Sequence, residues 1–171
     1  TPVPAAKLIS LAWPCGVASV PYQIVAADYF LCARGYNLNQ LEEATPYDFL
    51  NLKSFNSHEH APTPPADLKT VVDAAEAQGK WFNLVLHNFS NDDGAINYAA
   101  GKDVWVASLG SVVKYIHQRD RTVITNYTES VGLIQFNTYR LPLPASAYRS
   151  FETAFGPEDP LTFQVDATGI P

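Results

Sequence analysis

Methionine is absent from this chain, cysteine occurs only twice, and charged residues make up only 16% of it. Each shortage narrows the reading. Without methionine there is no initiator, and the opening Thr1-Pro2-Val3-Pro4 has neither a charged nor an apolar leader segment, so a processed, matured chain is expected. Two cysteines, Cys15 and Cys32, are too few for a disulfide framework and are compatible with one bridge or with two buried thiols. No run approaches the ~18 to 20 apolar residues of a membrane span, which speaks against a membrane partner. Basic residues number 11 against 17 acidic ones, and the pI is near 5.0, so the electrostatic footprint of a nucleic-acid partner is missing. An uncharged ligand fits better. No G-x-S-x-G elbow, P-loop, G-x-G-x-x-G or H-E-x-x-H is present, which leaves serine-hydrolase, nucleotide and zincin chemistry without a motif.

What is present is a core. At 171 residues and 47% apolar content the chain bounds one domain, with room for a short appendage. Two glycosylation sequons, Asn88-Phe89-Ser90 and Asn126-Tyr127-Thr128, join the processed start in pointing to a secreted protein.

The hydrophobic pattern alternates short apolar runs with amphipathic helices. Residues 7–12 read as a strand that stops at the loop Trp13-Pro14-Cys15-Gly16. Ser19 then caps a helix whose inward face is expected at Val20, Ile24, Ala27 and Leu31, with Cys32 in the core at its end. Residues 33–38 give a second strand around Arg34-Gly35-Tyr36, and residues 49–52 a third. Residues 54–65 form a polar, proline-rich loop holding Ser57-His58-Glu59-His60. A helix over 66–78 buries Leu68, Val71, Val72 and Ala75 and stops at Gly79.

Residues 81–87, W-F-N-L-V-L-H, read as a buried strand ending in a histidine and running into the polar Asn88 to Gly94 loop, where parallel sheets keep their sites. Asp103 is expected to cap a third helix carrying Val104, Ala107, Val112 and Ile116 inward, and Val123-Ile124 to give one more short strand. The fold class is therefore α/β, over 1–125, with a small antiparallel β appendage over 126–171, where Val131 to Phe136 and Leu161 to Val165 alternate. The units are too few to close a barrel. The sheet is either a compact open one or a partial (β/α) barrel completed by another polypeptide or a removed segment.

Several of these stretches carry a family likeness. Leu11-Ala12-Trp13-Pro14-Cys15-Gly16, Ala33-Arg34-Gly35-Tyr36, Gly79-Lys80-Trp81 through Leu86-His87, and Val104 through Ile116 resemble, in order and spacing, the C-terminal half of the NodB-homology polysaccharide deacetylases of carbohydrate esterase family 4. The resemblance implies a divalent metal, usually zinc, that polarises water and carbonyl, a carboxylate base, and His87 as the acid that protonates the leaving amine or alkoxide. It implies an acetylated polysaccharide such as chitin as substrate. Trp13 and Pro14 would then shape the groove, and Trp13, Tyr36 and Trp105 offer rings that either stack on sugar or pack in the core.

The departures are equally specific. The family's T-F-D-D-G-type motif and its H-[ST]-x-x-H motif are both missing, so neither base nor metal cage is identifiable in this chain. Asp92-Asp93-Gly94 copies part of the former but follows the late histidine instead of opening the fold. His58 and His60, one residue apart, are either weak metal-ligand candidates or solvated loop residues. His87 is either the acid or a strand-end histidine satisfied by the backbone; Asn88, Asp92 or Asp93 would orient and tune it in the first case. A glycan on Asn88 would crowd that site, so Asn88 is expected to be unmodified if the groove is used. The expectation that follows is the C-terminal part of a secreted deacetylase whose base and metal ligands lie on an N-terminal fragment of the same precursor. The other reading is a non-catalytic, secreted carbohydrate-binding or defence protein on a degenerate version of the same fold, and a third is an inert proteolytic remnant.

Overall fold

The computed structural model describes residues 9–56, 67–86, 94–141, 161 and 163. Its centre is a parallel sheet of β1 (Ser10–Ala12), β2 (Cys32–Leu38), β3 (Leu52–Asn56) and β4 (Leu84–Val85), in that spatial order. Order in space is thus order in the chain, and the sheet curls into a half-barrel. Helix α1 (Val20–Ala26) links β1 to β2, and α2 (Leu68–Gln78) precedes β4. Two more helices follow, α3 (Ala95–Ala100) and α4 (Leu109–Arg121), and then β5 (Thr122–Ser130) and β6 (Leu133–Arg140) pair as a separate antiparallel ribbon. The mixed α/β class with a small antiparallel addition is as the periodicity indicates. Among the described residues no helix is long and apolar enough to cross a membrane.

Helix α2 follows its sequence closely. Asp67 accepts from the Lys69 amide at 2.9 Å as N-cap, Leu68, Val71, Val72 and Ala75 are all buried, and Gly79 ends the helix at φ +61°. That geometry favours glycine because a Cβ at positive φ meets the neighbouring carbonyl. Asp67→Ala is expected to cost about 1 kcal/mol, read as a shifted urea midpoint with an unchanged slope.

Other elements depart from expectation for local reasons. The third strand starts at Leu52 and not at 49, because the Asp48 carboxylate accepts from the Leu50 amide at 2.8 Å and its carbonyl from the Asn51 amide at 3.2 Å. This turn takes Phe49 and Leu50 out of the regular ladder, although the Phe49 carbonyl still accepts from the Ala33 amide of β2 at 2.8 Å. Helix α1 is rotated: Val20 and Ile24 are each 67% exposed, while Ala26 is buried and Ala27 and Phe30 pack beside it against Trp13 and Ala33. Small residues let this short helix approach the sheet, and apolar residues on two faces give periodicity nothing to choose between. The last long helix begins at Leu109, since Ser108 and not Asp103 supplies the cap, its hydroxyl accepting from the Ser111 amide. Val104 and Ala107 therefore stand before it; Ile116 is buried as expected, with Val113 and Gln118 in place of Val112. Cys32 belongs to β2 and not to a helix end. Val123 and Ile124 pair with β6 and not with the parallel sheet.

The core lies on both sheet faces. Outside, α1 covers Ala33 and Trp13, and α2 covers Phe55 with Ala95 of α3. Inside, α4 lies across the starts of all four strands, with Val113 and Leu109 against Ile9, Leu31, Cys32, Leu52, Phe49 and Trp81. Gly110 makes this close approach, since a Cβ there would stand 3.0 Å from Ile9. Lys102, after α3, binds Asp73 at 2.7 Å and Glu76 at 3.1 Å and so ties that end to α2.

His117 of α4 stacks on Phe49 with ring centroids 4.1 Å apart. Burial pulls its pKa from the usual 6.5 down to about 4; the Asp120 charge opposes that and the Arg121 charge adds to it. The unfolded chain thus takes up a proton below pH 6.5 that the folded chain refuses until about pH 4. Stability is full above the first value and falls as pH drops towards the second, by about 2 to 3 kcal/mol. Glu42, whose carboxyl pKa is raised by burial, works in the opposite direction. The difference between the wild type and His117→Phe, which keeps a ring on Phe49, isolates the histidine: the fall in urea midpoint from pH 7 to 4.5 is expected to be smaller in the variant. An undiminished pH dependence would contradict this origin.

Candidate functional site

The end of a parallel sheet towards which its strands run is where connecting loops can form a site. Here the edge strands β1 and β4 both line one cleft of about 390 Å³, formed by Ser10 to Ala12, Arg34, Asn83 to Leu86 and Leu109. In a flat sheet the first and fourth strands are about 14 Å apart. The curl brings both edges onto one space.

The strand pairing fixes which side chains face it. Ala12 is the register partner of Arg34, and Arg34 that of Leu52, so these share the concave face with Ser10 and Cys32. On β4, Leu84 pairs with Phe55 on the outer face, and alternation turns Asn83 and Val85 inward. Leu109, the first residue of α4, forms the floor. The cleft thus opens above the packed layer that α4 makes with the strand starts.

Arg34 is the charged group of the cleft. Its Nη1 donates to the Gly35 carbonyl at 3.4 Å, and burial lowers its pKa from the usual value. In the sequence Arg34 reads only as part of a strand; the signal that marks it is a cation within the small, apolar Cys32-Ala33-x-Gly35 run. Asn83 contributes a buried amide nitrogen with no hydrogen-bond partner among the described residues. Beyond Arg34 the β2 ladder shifts register, a local irregularity of the kind that re-aims side chains at sites, and Tyr36 stands there 42% exposed. Gly16 packs against the base of Tyr36.

Trp13 is only 7% exposed and donates from its indole nitrogen to the Leu50 carbonyl at 2.6 Å, so its ring shapes the wall from behind. Pro14 opens the exposed turn that follows. Trp105 is exposed and meets Tyr115 edge-on with centroids 5.4 Å apart. The strand read over 81–87 is regular only at Leu84–Val85, and its residues 81–86 are half-buried, because β4 lies at the sheet's edge. Trp81 is held separately by a bridge to Glu42. His87, Asn88, Asp92 and Asp93 lie outside the described residues, as do His58 and His60. Asn126 is exposed, at φ +52°, beside a register shift of the ribbon.

Cys15 and Cys32 are not joined. Cys15 is exposed in the Pro14–Gly16 turn, and Cys32 is buried, which pushes its thiol pKa up to about 12. Such a thiol is inert. Among the described residues no cluster of three histidine, cysteine or carboxylate side chains could hold a metal. The inward side chains Ser10, Arg34 and Asn83 do not suit zinc, which takes imidazole, thiolate or carboxylate and is repelled by a guanidinium. Comparison with family profiles, curated proteins and solved structures gives no match for this chain.

Proposed function

We propose that this chain is the C-terminal part of a secreted, metal-dependent deacetylase of an N-acetylhexosamine polysaccharide, with His87 as general acid. The observation that carries the reading is the joint cleft of β1 and β4. Ala12 in one of its walls is followed along the chain by Trp13-Pro14, and Leu86 in the other by His87, both within stretches that resemble the deacetylases. His87 holds a proton for the leaving amine, and Tyr36 with Pro14 borders the sugar. The base and the metal ligands belong to an N-terminal segment of the same precursor. Because the described cleft residues do not fit a metal, no step at the metal is assigned to them. In the described part β1 pairs only with β2 and β4 only with β3. Their outer edges are where an added strand pairs through its main chain.

The test is acetate release from N-acetylglucosamine oligomers by the protein made together with the sequence encoded ahead of Thr1. Release that a chelator stops, and zinc restores, is expected. Sugar binding without release, indifferent to the chelator, would replace this reading by the non-catalytic one.

A further inference from the structure

The polar side chains that face the cleft are donors in excess of acceptors. Arg34 brings a forked cation, Asn83 an amide nitrogen without a partner, and Ser10 a hydroxyl. Among the described residues no carboxylate lies within ion-pair distance of Arg34, whose one hydrogen bond, to Gly35, is long. Leu109 adds the first turn of the 13-residue helix α4, whose positive end lies at the floor. A half-buried cation without a counter-ion has lost hydration that an anion in the same space would offset.

We propose that this cleft binds the carboxylate of an acidic sugar, with Arg34 as its charge partner and Asn83 and Ser10 as further donors. The choice of a sugar rests on the polysaccharide reading above; the carboxylate rests on the cleft alone. A planar monoanion matches the guanidinium fork through two parallel bonds. The single cation of the cleft and the net charge of −6 disfavour a polyanion such as a phosphate chain. At about 390 Å³ the space suits a small ligand group. Tyr36, two residues along β2 and within electrostatic reach of Arg34, offers the apolar ring surface that a sugar ring needs.

The experiment is calorimetric titration of the whole chain, with chelator present, using trigalacturonate, the neutral N-acetylglucosamine trimer and sodium acetate as probes. Trigalacturonate is expected to bind more tightly than either other probe and to weaken as salt rises. Arg34→Gln is expected to reduce its affinity by about 10- to 100-fold, and Arg34→Lys by less, since lysine keeps the charge without the fork. In the wild type, the Arg34 Nε–H resonance is expected to shift on adding trigalacturonate, a readout that stands even if a variant fails to fold. An unmoved resonance, equal binding of the neutral trimer, or undiminished binding by Arg34→Gln would overturn the proposal. Acetate binding as tightly as trigalacturonate would overturn the sugar. The probe carries no acetyl group and needs no turnover. Acetate release without uronate binding thus sinks this proposal alone, and the converse sinks only the deacetylase reading.

Discussion

Acetate release by the His87→Ala variant is expected to fall about 100- to 10,000-fold, the range over which a positioned general acid acts. An amine leaving a tetrahedral carbon does so as a neutral molecule only if it is protonated as the bond breaks. A histidine with its usual pKa near 6.5 is among the few side chains able to carry that proton near neutrality. The loss should appear in kcat with little change in KM, because the group acts in the transition state and not in binding. The alkaline limb of the pH profile, where the acid loses its proton, should vanish with it. His87→Asn tests the same point with a side chain of similar size that does not titrate. A decrease of less than about threefold, within the noise of packing effects and far below the general-acid range, would mark His87 as a structural strand end.

The second large effect is on stability. Gly16 sits at φ +71°, and a Cβ added there would overlap Cβ of Tyr36 and crowd its Cα at 3.2 Å. The obstacle is the β2 main chain, which cannot swing aside as the tip of a long side chain can. Gly16→Val is expected to cost about 2 to 5 kcal/mol: about 1 to 2 for the left-handed backbone and about 1 to 3 for overpacking. That is a large share of the 5 to 15 kcal/mol typical of a folded domain. Gly79→Val is the control. Gly79 has φ +61° but open space around it, so only the backbone part, about 1 to 2 kcal/mol, is lost. Urea midpoints of the two variants separate the contributions, and equal midpoints would show that Tyr36 yields.

How much of this was legible depended on whether the deciding interaction was local. Helix α2 was, because cap, stripe and stop all lie within it. The start of β3 was not, because Asp48 folds the chain into a turn, its carboxylate accepting from the Leu50 amide and its carbonyl from the Asn51 amide, where the apolar Phe49-Leu50 pair suggests a strand. Helix α3 leaves no signal in the sequence: it has six residues, no side-chain cap, and an inward pair, Ala95 and Ala99, too small to register as a stripe. The curl of the sheet lies in pairing and twist, which no periodicity records. For the same reason the sequence favours core packing over sugar stacking for Trp13 without excluding either, and the hydrogen bond from its indole nitrogen to the Leu50 carbonyl decides for packing. Arg34 escaped notice since its significance arises from Asn83 and Ser10, distant in the chain and brought near by the curl.

Helix α4, which packs beneath the starts of all four strands, is also the last part of the half-barrel to be synthesised. A nascent chain can pair β1 through β4 as each emerges, every strand meeting an edge already laid down. Until Val113 and Leu109 follow, Leu31, Cys32 and Leu52 lack the cover that this helix gives them. The interval between β4 and α4 is therefore the vulnerable window of biosynthesis, in which the growing polypeptide exposes the surface that invites chaperones or aggregation. A message truncated before Leu109 would yield a sheet without its base, whereas one truncated after Arg121 would, among the described elements, lose the ribbon and keep the half-barrel with its base.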